Sequence, residues 1–253
     1  MHLPLLSVIT VCLNAELTLK RAIKSVESSS YPNLEYIIID GGSTDGTLQI
    51  IDEFRNVITK VISEPDEGIS DALNKGIARS TGEFHYLLHA DDELFPNGLN
   101  ALYEGIAPEA MVVGGRVAVM DKTRLIRIFR SQPEKLPCKM ALPHMGCLIR
   151  KSAWNAAGHY DCRRKIAMDH LLMLRILKLY GISAFSKIED VVARHNVGGI
   201  SAKQLNLGFA EVRDNLLEEG YGFLHANYAF SMLVLKGILA RHLVRPAQYE
   251  ETC

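Results

Sequence analysis

The sequence is poor in cysteine and has none of the spacings in which cysteines usually bind zinc or form redox pairs. Its five cysteines are an odd number, and no two of them form a C-x-x-C pair. This pattern argues against a disulfide framework and favours a reducing compartment. A basic N-terminal region with an apolar core is also missing, and no run of about 18 apolar residues predicts a membrane span. We therefore expect a cytoplasmic protein.

An excess of either charge is missing as well, because the formal net charge is −1 at pH 7. No overall field attracts nucleic acid, and no nucleic-acid partner is expected. The two commonest phosphate-binding glycine loops, G-x-G-x-x-G and G-x-x-x-x-G-K-[ST], do not occur in the sequence. If the ligand carries phosphate, a metal ion must neutralise its charge instead.

Apolar runs alternate with segments of helical spacing over the first hundred residues. The runs predict strands at 5–13, 34–39, 57–62 and 84–88, and the segments between them predict helices at 17–26, 48–54 and 69–78. Strands that alternate with helices indicate β-α-β units. We therefore predict an α/β fold with a Rossmann-type, mostly parallel sheet flanked by helices.

The pattern changes after residue 105. Strands are predicted at 111–120, 125–129, 147–149 and 182–193, and helices at 152–157 and 168–179. Residues 201–243 are helical in pattern, with an interruption near 220–222. These features predict an α/β domain over residues 1–200 and a C-terminal helical extension over residues 201–253.

Acidic residues stand directly after three of the predicted strands. Asp91 and Asp92 follow the apolar run 84–88, while Asp40 and Asp66 follow the second and third strands. In open α/β sheets the carboxyl ends of the strands form the edge where ligands bind. Two adjacent carboxylates repel each other unless a cation lies beside them, and oxygen ligands suit Mg²⁺ or Mn²⁺. The alternative is that these acids belong to turns and helix caps.

Four short segments together resemble the family 2 glycosyltransferases of the GT-A fold. They are Ser7 to Asn14, Asp40 to Thr47, Asp66 to Gly76 and Ala90 to Asp92. Their order and spacing match over residues 5–100, and the likeness weakens over residues 105–140. It returns at Asp169 to Arg175, which resembles the family's helix with an acid and an arginine, and at Gly198 to Ser201.

The resemblance, which is to enzymes of bacterial polysaccharide biosynthesis, implies an inverting transfer of a sugar from a nucleoside diphosphate sugar to an acceptor hydroxyl. It implies a UDP-sugar donor, Mn²⁺ or Mg²⁺ as cofactor, and as acceptor a glycan or lipid-linked glycan of a surface polysaccharide or glycolipid. Asp169 would be the general base, and Asp92 and His195 would bind the metal. The residues implied for binding the nucleotide sugar are Thr10, Asn14, Asp40, Asp66, Gly68, Asn74 and Asp91.

Two positions depart from the family's pattern. Gly41 stands where many relatives have a second acid, so recognition of the base would depend more on Asp40 and Asp66. His89 stands where relatives often have the first acid of a D-x-D motif, and we interpret it as a strand-end histidine that bonds to backbone. Asp169 begins a helix, whose dipole is expected to keep the carboxylate ionised.

Two other functions share part of this chemistry. A nucleotidyltransferase is expected to show a glycine- and lysine- or arginine-rich triphosphate loop near its N-terminus, which residues 8–14 do not show. A catalytically inactive nucleotide-sugar-binding protein would not need an acid at position 169. His144 is a weaker candidate that would face the acceptor, and Trp154 is expected to be a packing residue.

The tail from Tyr228 to Arg245 is apolar over a wide face, and its charged residues Lys236, Arg241 and Arg245 are all basic. It would either dock on the catalytic domain or lie as an interfacial helix on an anionic membrane. The second interpretation suits a lipid-linked acceptor and would place the protein peripherally at the inner face of the membrane.

Overall fold

The computed structural model describes residues 3–199 and 203–243, and the strands in these ranges form one nine-stranded sheet. They are β1 (Leu6–Cys12), β2 (Leu34–Asp40), β3 (Lys60–Ser63), β4 (Phe84–His89), β5 (Glu93–Leu94), β6 (Val112–Asp121), β7 (Arg124–Phe129), β8 (Cys147–Arg150) and β9 (Phe185–Asn196). Along the sheet their order is β3-β2-β1-β4-β8-β6-β9-β5, and β7 pairs with β6. The parallel ladders, which join the first four strands and β6 with β9, hold most of the paired residues. The prediction of a mostly parallel sheet is confirmed.

Helices pack against this sheet. In the described ranges they are α1 (Leu19–Glu27), α2 (Thr47–Glu53), α3 (Ile69–Arg79), α4 (Gly98–Glu104), α5 (Lys151–Ala157), α6 (Met168–Tyr180), α7 (Leu205–Glu218) and α8 (Phe223–Leu243). Short 3-10 turns occur at Pro133–Lys135, His144–Gly146 and Ile182–Ala184. The helices predicted before residue 181 are all present, and fraying accounts for small displacements of their ends.

Both faces of the central strands are buried, because successive side chains of a strand point to opposite faces. On one face Ile9 packs in a cluster with Leu73 of α3. On the other face Val8 packs in a cluster with Ile23 of α1. Every residue of β1 is therefore buried, which explains why its sequence is a continuous apolar run rather than an alternating one.

Two strands differ from their predicted bounds. The third was expected at 57–62, but the backbone N–H of Val57 bonds back to Phe54 and closes a turn, so β3 begins at Lys60. The last was expected at 182–193, whereas residues 182–184 form a 3-10 turn and β9 continues to Asn196. The short strand β5, which pairs with β9, was not expected.

The C-terminal helices α7 and α8 are separated by a turn at Gly220, whose φ is +87°. The predicted domain boundary between residues 200 and 201, the Ile200-Ser201 part of the last matching motif, and Arg245 of the basic tail lie outside the described residues. Among the helices described, none combines the length and the apolar character needed to span a membrane.

Candidate functional site

The carboxyl ends of β1, β2 and β4 lie side by side, because these strands are parallel neighbours. Cys12 at the end of β1 pairs with Asp40, and Val11 pairs with His89. Residues 90–92 continue directly from β4 at this edge. The sheet therefore gathers the acids that follow β2 and β4 at one edge, where ligands of open α/β sheets bind.

Asp40 shapes the turn after β2 and is fully buried. Its carboxylate accepts hydrogen bonds from the backbone N–H groups of Gly42 (3.2 Å) and Ser43 (3.1 Å). It also accepts bonds from the hydroxyls of Ser43 (2.5 Å) and Ser63 (2.7 Å). These donors engage both carboxylate oxygens, so the side chain supports the turn from within the protein.

Asp66 lies on the loop after β3, partly exposed, with its carboxylate beside Gly41. A Cβ atom at Gly41 would collide with Asp66 Oδ2, so glycine at this position leaves room for the carboxylate. Asp66 Oδ1 accepts a hydrogen bond from the backbone N–H of Gly68 at 2.8 Å. The φ of Gly68 is +118°, which glycine adopts without strain. The carboxylate of Asp66 thus lies in the space that a side chain at position 41 would enter, where many relatives have a second acid.

Three other residues implied for nucleotide-sugar binding bond within the protein. Asn14 Oδ1 accepts a hydrogen bond of 2.9 Å from a backbone N–H of the turn after β2, and the residue is exposed. Thr10 is fully buried, and its hydroxyl oxygen accepts a hydrogen bond from the Tyr36 hydroxyl at 3.1 Å. The amide of Asn74 pairs with both backbone groups of Tyr160 at 2.9 Å each. Of these three, Asn14 has the exposure that a ligand contact requires.

His89, Asp91 and Asp92 each place one candidate ligand atom within 4.8 Å of the others; we call these three residues the metal cluster. Asp92 is fully buried, and its Oδ2 has no hydrogen-bond partner among the described residues. The same holds for the buried Nε2 of His89 within the described chain. Buried polar atoms without partners are costly, and a divalent cation would satisfy both. The expectation that His89 bonds to backbone is wrong for Nε2, which has no partner in the described chain. The ring lies beside two carboxylates instead.

Residues at the end of β9 hold the acids of the metal cluster. His195 Nδ1 lies 2.8 Å from Asp92 Oδ1, and the Asn196 side-chain amide donates to the Asp91 carbonyl at 2.7 Å. The hydrogen bond with Asp92 raises the pKa of His195, while burial, followed by the charge of Asp92, raises the pKa of Asp91. His195 thus touches the cluster through its most buried member. Asn196 was not predicted, because its placement depends on how far β9 extends.

Asp169 lies at the start of α6, deep in the protein but with a solvent-accessible face. Burial, with a smaller contribution from the charge of Glu211, raises its pKa to about 7. The expectation that the helix dipole keeps this carboxylate ionised is therefore wrong below neutral pH, since desolvation outweighs the dipole. A carboxyl group with a pKa near 7 is suited to exchange a proton near neutral pH.

The helix α7 fixes the segment that leads into Asp169. The buried carboxylate of Glu211 accepts hydrogen bonds of 2.7 to 2.8 Å from the three backbone N–H groups of residues 165–167. Asn215 on the same helix donates to the Ala167 carbonyl at 2.8 Å. Backbone N–H groups at a helix start lack partners within the helix. Glu211 therefore caps α6 from a neighbouring helix, a role for which the sequence holds no local signal.

A chain of contacts runs from the metal cluster to Tyr160, a tyrosine whose pKa the charge of Asp169 helps to raise. The rings of His89 and His144 lie 5.2 Å apart, and His144 Nε2 lies 2.9 Å from the Tyr160 hydroxyl. Burial, followed by the charge of Asp169, raises the pKa of Tyr160. Burial, followed by the charge of His89, lowers the pKa of His144 to about 3. His144 is thus neutral and buried between His89 and Tyr160, and this position does not support the sequence-based suggestion that it faces the acceptor.

Trp154 is 1% exposed and lies 5.1 Å from the Tyr160 ring, as expected of a packing residue. A cavity of about 530 Å³ lies at the opposite edge of the sheet, lined by Phe84 at the start of β4 and Arg150 at the end of β8, among others. No acid of the metal cluster lines it. The candidate site is therefore the edge that carries the metal cluster, and not this cavity.

Comparisons with known proteins agree with this architecture. The family model described as glycosyl transferase family 2 matches residues 7–160. An uncharacterized glycosyltransferase of Mycobacterium tuberculosis is 32% identical to the chain over 181 residues, which cover 68% of each protein. The motifs at 7–14, 40–47, 66–76 and 90–92 all lie within the matched region.

Solved structures share the fold at low sequence identity. A mannosyltransferase from Pyrobaculum calidifontis, in complex with GDP-Man and Mn²⁺, matches with a TM-score of 0.67 at 18% identity and covers 97% of this chain and 82% of its own. S. aureus TarS 1–349 in complex with UDP-GlcNAc matches with a TM-score of 0.66 at 15% identity, covering 90% and 71%. These matches bear out the GT-A-like α/β architecture.

Proposed function

Because the chain belongs to glycosyl transferase family 2, and is thus a glycosyltransferase, we propose that it moves a sugar, with inversion, from a nucleoside diphosphate sugar to a hydroxyl of a glycan or lipid-linked glycan. The observation that carries the proposal is the metal cluster at the ligand-binding edge, from which side-chain contacts run through His144 to Tyr160. We propose a UDP-sugar donor with Mn²⁺ or Mg²⁺. Structural neighbours in complex with UDP-GlcNAc, or with GDP-Man and Mn²⁺, support this choice of ligand class.

The residues present fit a divalent ion. His89, Asp91 and Asp92 would hold it, and His195 would orient Asp92 through their hydrogen bond. When bound, the ion supplies positive charge for the departing nucleoside diphosphate. The exposed Asn14 and the partly exposed Asp66 are the proposed nucleoside contacts, on a turn that Asp40 shapes from within.

The acceptor hydroxyl is a poor nucleophile, so a base must take its proton as the new bond forms. We propose that Asp169 is this base. Asp169 is partly exposed, as a residue that meets an acceptor must be. Because burial raises its pKa to about 7, the carboxylate is both available above neutral pH and basic enough to accept the proton. Glu211 and Asn215 hold the segment that positions it.

The two acids near the proposed nucleoside differ in their surroundings and should differ in their variants. Asp66→Ala is expected to weaken binding of free UDP and of the complete donor by a similar factor, with little change in melting temperature. Asp40→Ala should also lower the melting temperature, because it leaves the backbone N–H and the hydroxyl of the buried Ser43 without their acceptor. Calorimetry and thermal unfolding of both variants measure these effects.

Glu67→Ala is the control for Asp66, since it removes an exposed acid one residue away. A loss confined to the donor's sugar, with unchanged UDP affinity in Asp66→Ala, would place this residue at the sugar rather than the nucleoside. Equal behaviour of the Asp40 and Asp66 variants in thermal unfolding would contradict the role assigned to Asp40.

Glu211→Gln tests the cap on α6. The glutamine amide group would face backbone N–H groups where a carboxylate oxygen now accepts two of them, so a loss of about 1 to 3 kcal/mol of stability is expected. Turnover should fall with little change in donor affinity, because the displaced segment carries Asp169. Asp214→Asn, on the same helix and bonded to its neighbour Arg213, is the matched control. Normal turnover in Glu211→Gln would show that the hydrogen bonds of Glu211 do not contribute to catalysis.

Screening nucleotide sugars for slow hydrolysis with Mn²⁺ tests the function itself, because water can replace the acceptor. Release of UDP, or of another nucleoside diphosphate, with the free sugar supports a glycosyltransferase. Release of pyrophosphate from a nucleoside triphosphate and a sugar phosphate would indicate a nucleotidyltransferase instead. Tight donor binding without turnover, also in the presence of acceptor extracts, would indicate an inactive sugar-nucleotide-binding protein.

We also propose that the enzyme acts in surface polysaccharide or glycolipid synthesis on the cytoplasmic side, peripherally at the inner face of the membrane. The helix α8 supports this proposal, since its 21 residues contain no aspartate or glutamate and its described side chains include several exposed apolar residues. Such a surface suits contact with anionic lipid.

A further inference from the structure

The loop 132–141 is held between the helix that carries Asp169 and the C-terminal helix. His170 Nε2, next to Asp169 on α6, lies 2.9 Å from the carbonyl oxygen of Leu136. His225 Nε2 on α8 lies 2.6 Å from the carbonyl oxygen of the following residue. Burial lowers the pKa of His170 to about 4, so this histidine is neutral and donates through Nε2. The loop is thus fixed beside the proposed base.

The charges of three other cations act on Lys139 of this loop: Lys135, also on the loop, Arg127 on β7 and Lys236 on α8. We call these four residues the basic cluster. Lys139 is half-buried, and burial, followed by the charges of Lys135, Lys236 and Arg127, lowers its pKa. In the described part of the chain none of the four forms a salt bridge. The acid of the loop, Glu134, is directed to Lys187 at 3.9 Å.

The register of the sheet places Arg127 of the basic cluster two strands from His195, which bonds to Asp92 of the metal cluster. Arg127 pairs with Val119 of β6, and Val119 pairs with His195 of β9. Directly paired residues of adjacent strands share a face of the sheet, and two strand spacings amount to about 10 Å. The cluster therefore runs from Arg127, two strands from His195, to the loop whose Leu136 bonds to His170, the neighbour of Asp169.

Exposed apolar side chains border these cations. Leu125 and Ile126, which precede Arg127 on β7, are 53% and 50% exposed. On α8, Leu235 and Ile238 next to Lys236 are 50% and 48% exposed. These cations form no salt bridge in the described chain and lie next to exposed apolar groups. Such a surface is suited to bind an amphiphile with an anionic head.

We propose that the basic cluster binds the phosphate or diphosphate group of the acceptor, and that this acceptor is a lipid whose apolar chain lies along the exposed residues of β7 and α8. The inference rests on the proposed function, since it concerns the acceptor of that reaction. Lysine and arginine bind phosphate through charge-assisted hydrogen bonds. An anionic group would offset the penalty of holding the half-buried Lys139 among like charges. The diphosphate of the donor is bound at the metal cluster, so it does not account for this second site.

Calorimetry with octyl diphosphate, in the presence of EDTA so that the metal cluster does not contribute, tests the inference. The protein should bind octyl diphosphate, and the double variant Arg127→Gln/Lys139→Gln should bind it at least about tenfold more weakly. The matched control is Arg55→Gln/Lys60→Gln, which removes the same two charge types near β3 at the other edge of the sheet. The control should bind as the unaltered protein does.

Two further probes separate the head group from the chain. Inorganic pyrophosphate should bind more weakly than octyl diphosphate, and octyl glucoside should not bind. Equal binding of pyrophosphate and octyl diphosphate would overturn the assignment of a lipid, and unchanged octyl diphosphate binding in the double variant would overturn the phosphate site. Donor hydrolysis by the unaltered protein is measured separately. If the protein hydrolyses donor but fails these binding tests, the proposed function stands and only the lipid-phosphate site is overturned.

Discussion

Asp169→Asn is expected to reduce sugar transfer by about 100-fold or more and to leave donor affinity nearly unchanged. Asparagine preserves the shape of the side chain and removes its ability to accept a proton. A base is needed when the acceptor hydroxyl attacks, and not when the donor binds. A loss of kcat without a loss of binding is the mark of such a role. Turnover and donor affinity on the same variant measure it.

The pH dependence follows from the raised pKa of Asp169. A base with a pKa of about 7 is protonated at lower pH, so transfer by the unaltered enzyme should rise as the pH increases through about 7. In the Asn variant this rise should disappear from the residual activity. A variant that keeps near-normal turnover, the same pH profile and the same product stereochemistry would remove Asp169 from the mechanism.

Thermal unfolding distinguishes this catalytic role from a structural one. The folded-state pKa of Asp169 lies above its ordinary value, so the associated stability is fully present below pH 4 and is lost as the pH rises through about 7. At pH 8 the enzyme therefore holds a poorly solvated carboxylate, and Asp169→Asn should raise the melting temperature there. Asp161→Asn is the control with the opposite sign, because a hydrogen bond from Arg163 lowers the pKa of Asp161.

Asp92→Asn is expected to abolish the strengthening of UDP binding by Mn²⁺. Asp92 Oδ1 accepts bonds from His195 Nδ1 (2.8 Å) and from the Asn196 backbone (3.3 Å), and an asparagine oxygen can keep both. The amide nitrogen then replaces Oδ2, the buried atom without a partner among the described residues. The substitution thus removes a metal ligand while it leaves the protein's own hydrogen bonds in place.

Calorimetry of UDP with and without Mn²⁺ measures this effect, and direct titration of Mn²⁺ provides a second readout. Asp121→Asn, an exposed acid at the end of β6, is the control and should behave as the unaltered enzyme does. Metal-dependent affinity that survives in Asp92→Asn would exclude Asp92 as a ligand. A melting temperature close to that of the unaltered enzyme would show that the loss is not caused by unfolding.

Much of the fold could be predicted because its signals are local. The run from Leu6 to Cys12 is mostly apolar since both faces of β1 are buried, and residues 168–180 have the composition and spacing of a helix. Two of the three members of the metal cluster could be placed at the ligand-binding edge for the same reason. Asp91 and Asp92 follow their strand in the sequence, so their arrival at the ligand-binding edge needs no knowledge of distant contacts.

The remaining features depend on contacts between distant parts of the chain. His89 resembles an ordinary strand-end histidine until the structure places its ring beside two carboxylates and leaves its buried Nε2 without a partner among the described residues. Asp169 has the position of an ionised helix-start acid, and its tertiary burial, with a smaller contribution from the charge of Glu211, raises its pKa. Glu211 stands in an unremarkable helical segment, and nothing near it in the sequence indicates which backbone groups it will bind. Long-range packing decides all three, and a single sequence does not display it.

The cap provided by Glu211 also bears on the order in which the protein becomes competent during its synthesis. Glu211 is 44 residues further along the chain than Ala167, whose N–H group it binds. Ribosomes add roughly 5–20 residues per second, and the N-terminal part of a protein generally folds first. The residues of the edge proposed to bind the donor, which extend to Asn196, are therefore synthesised before Glu211, while the segment before Asp169 still lacks its cap. A nascent chain should gain donor binding before it gains transfer, so premature release yields a protein that sequesters sugar nucleotide without consuming it.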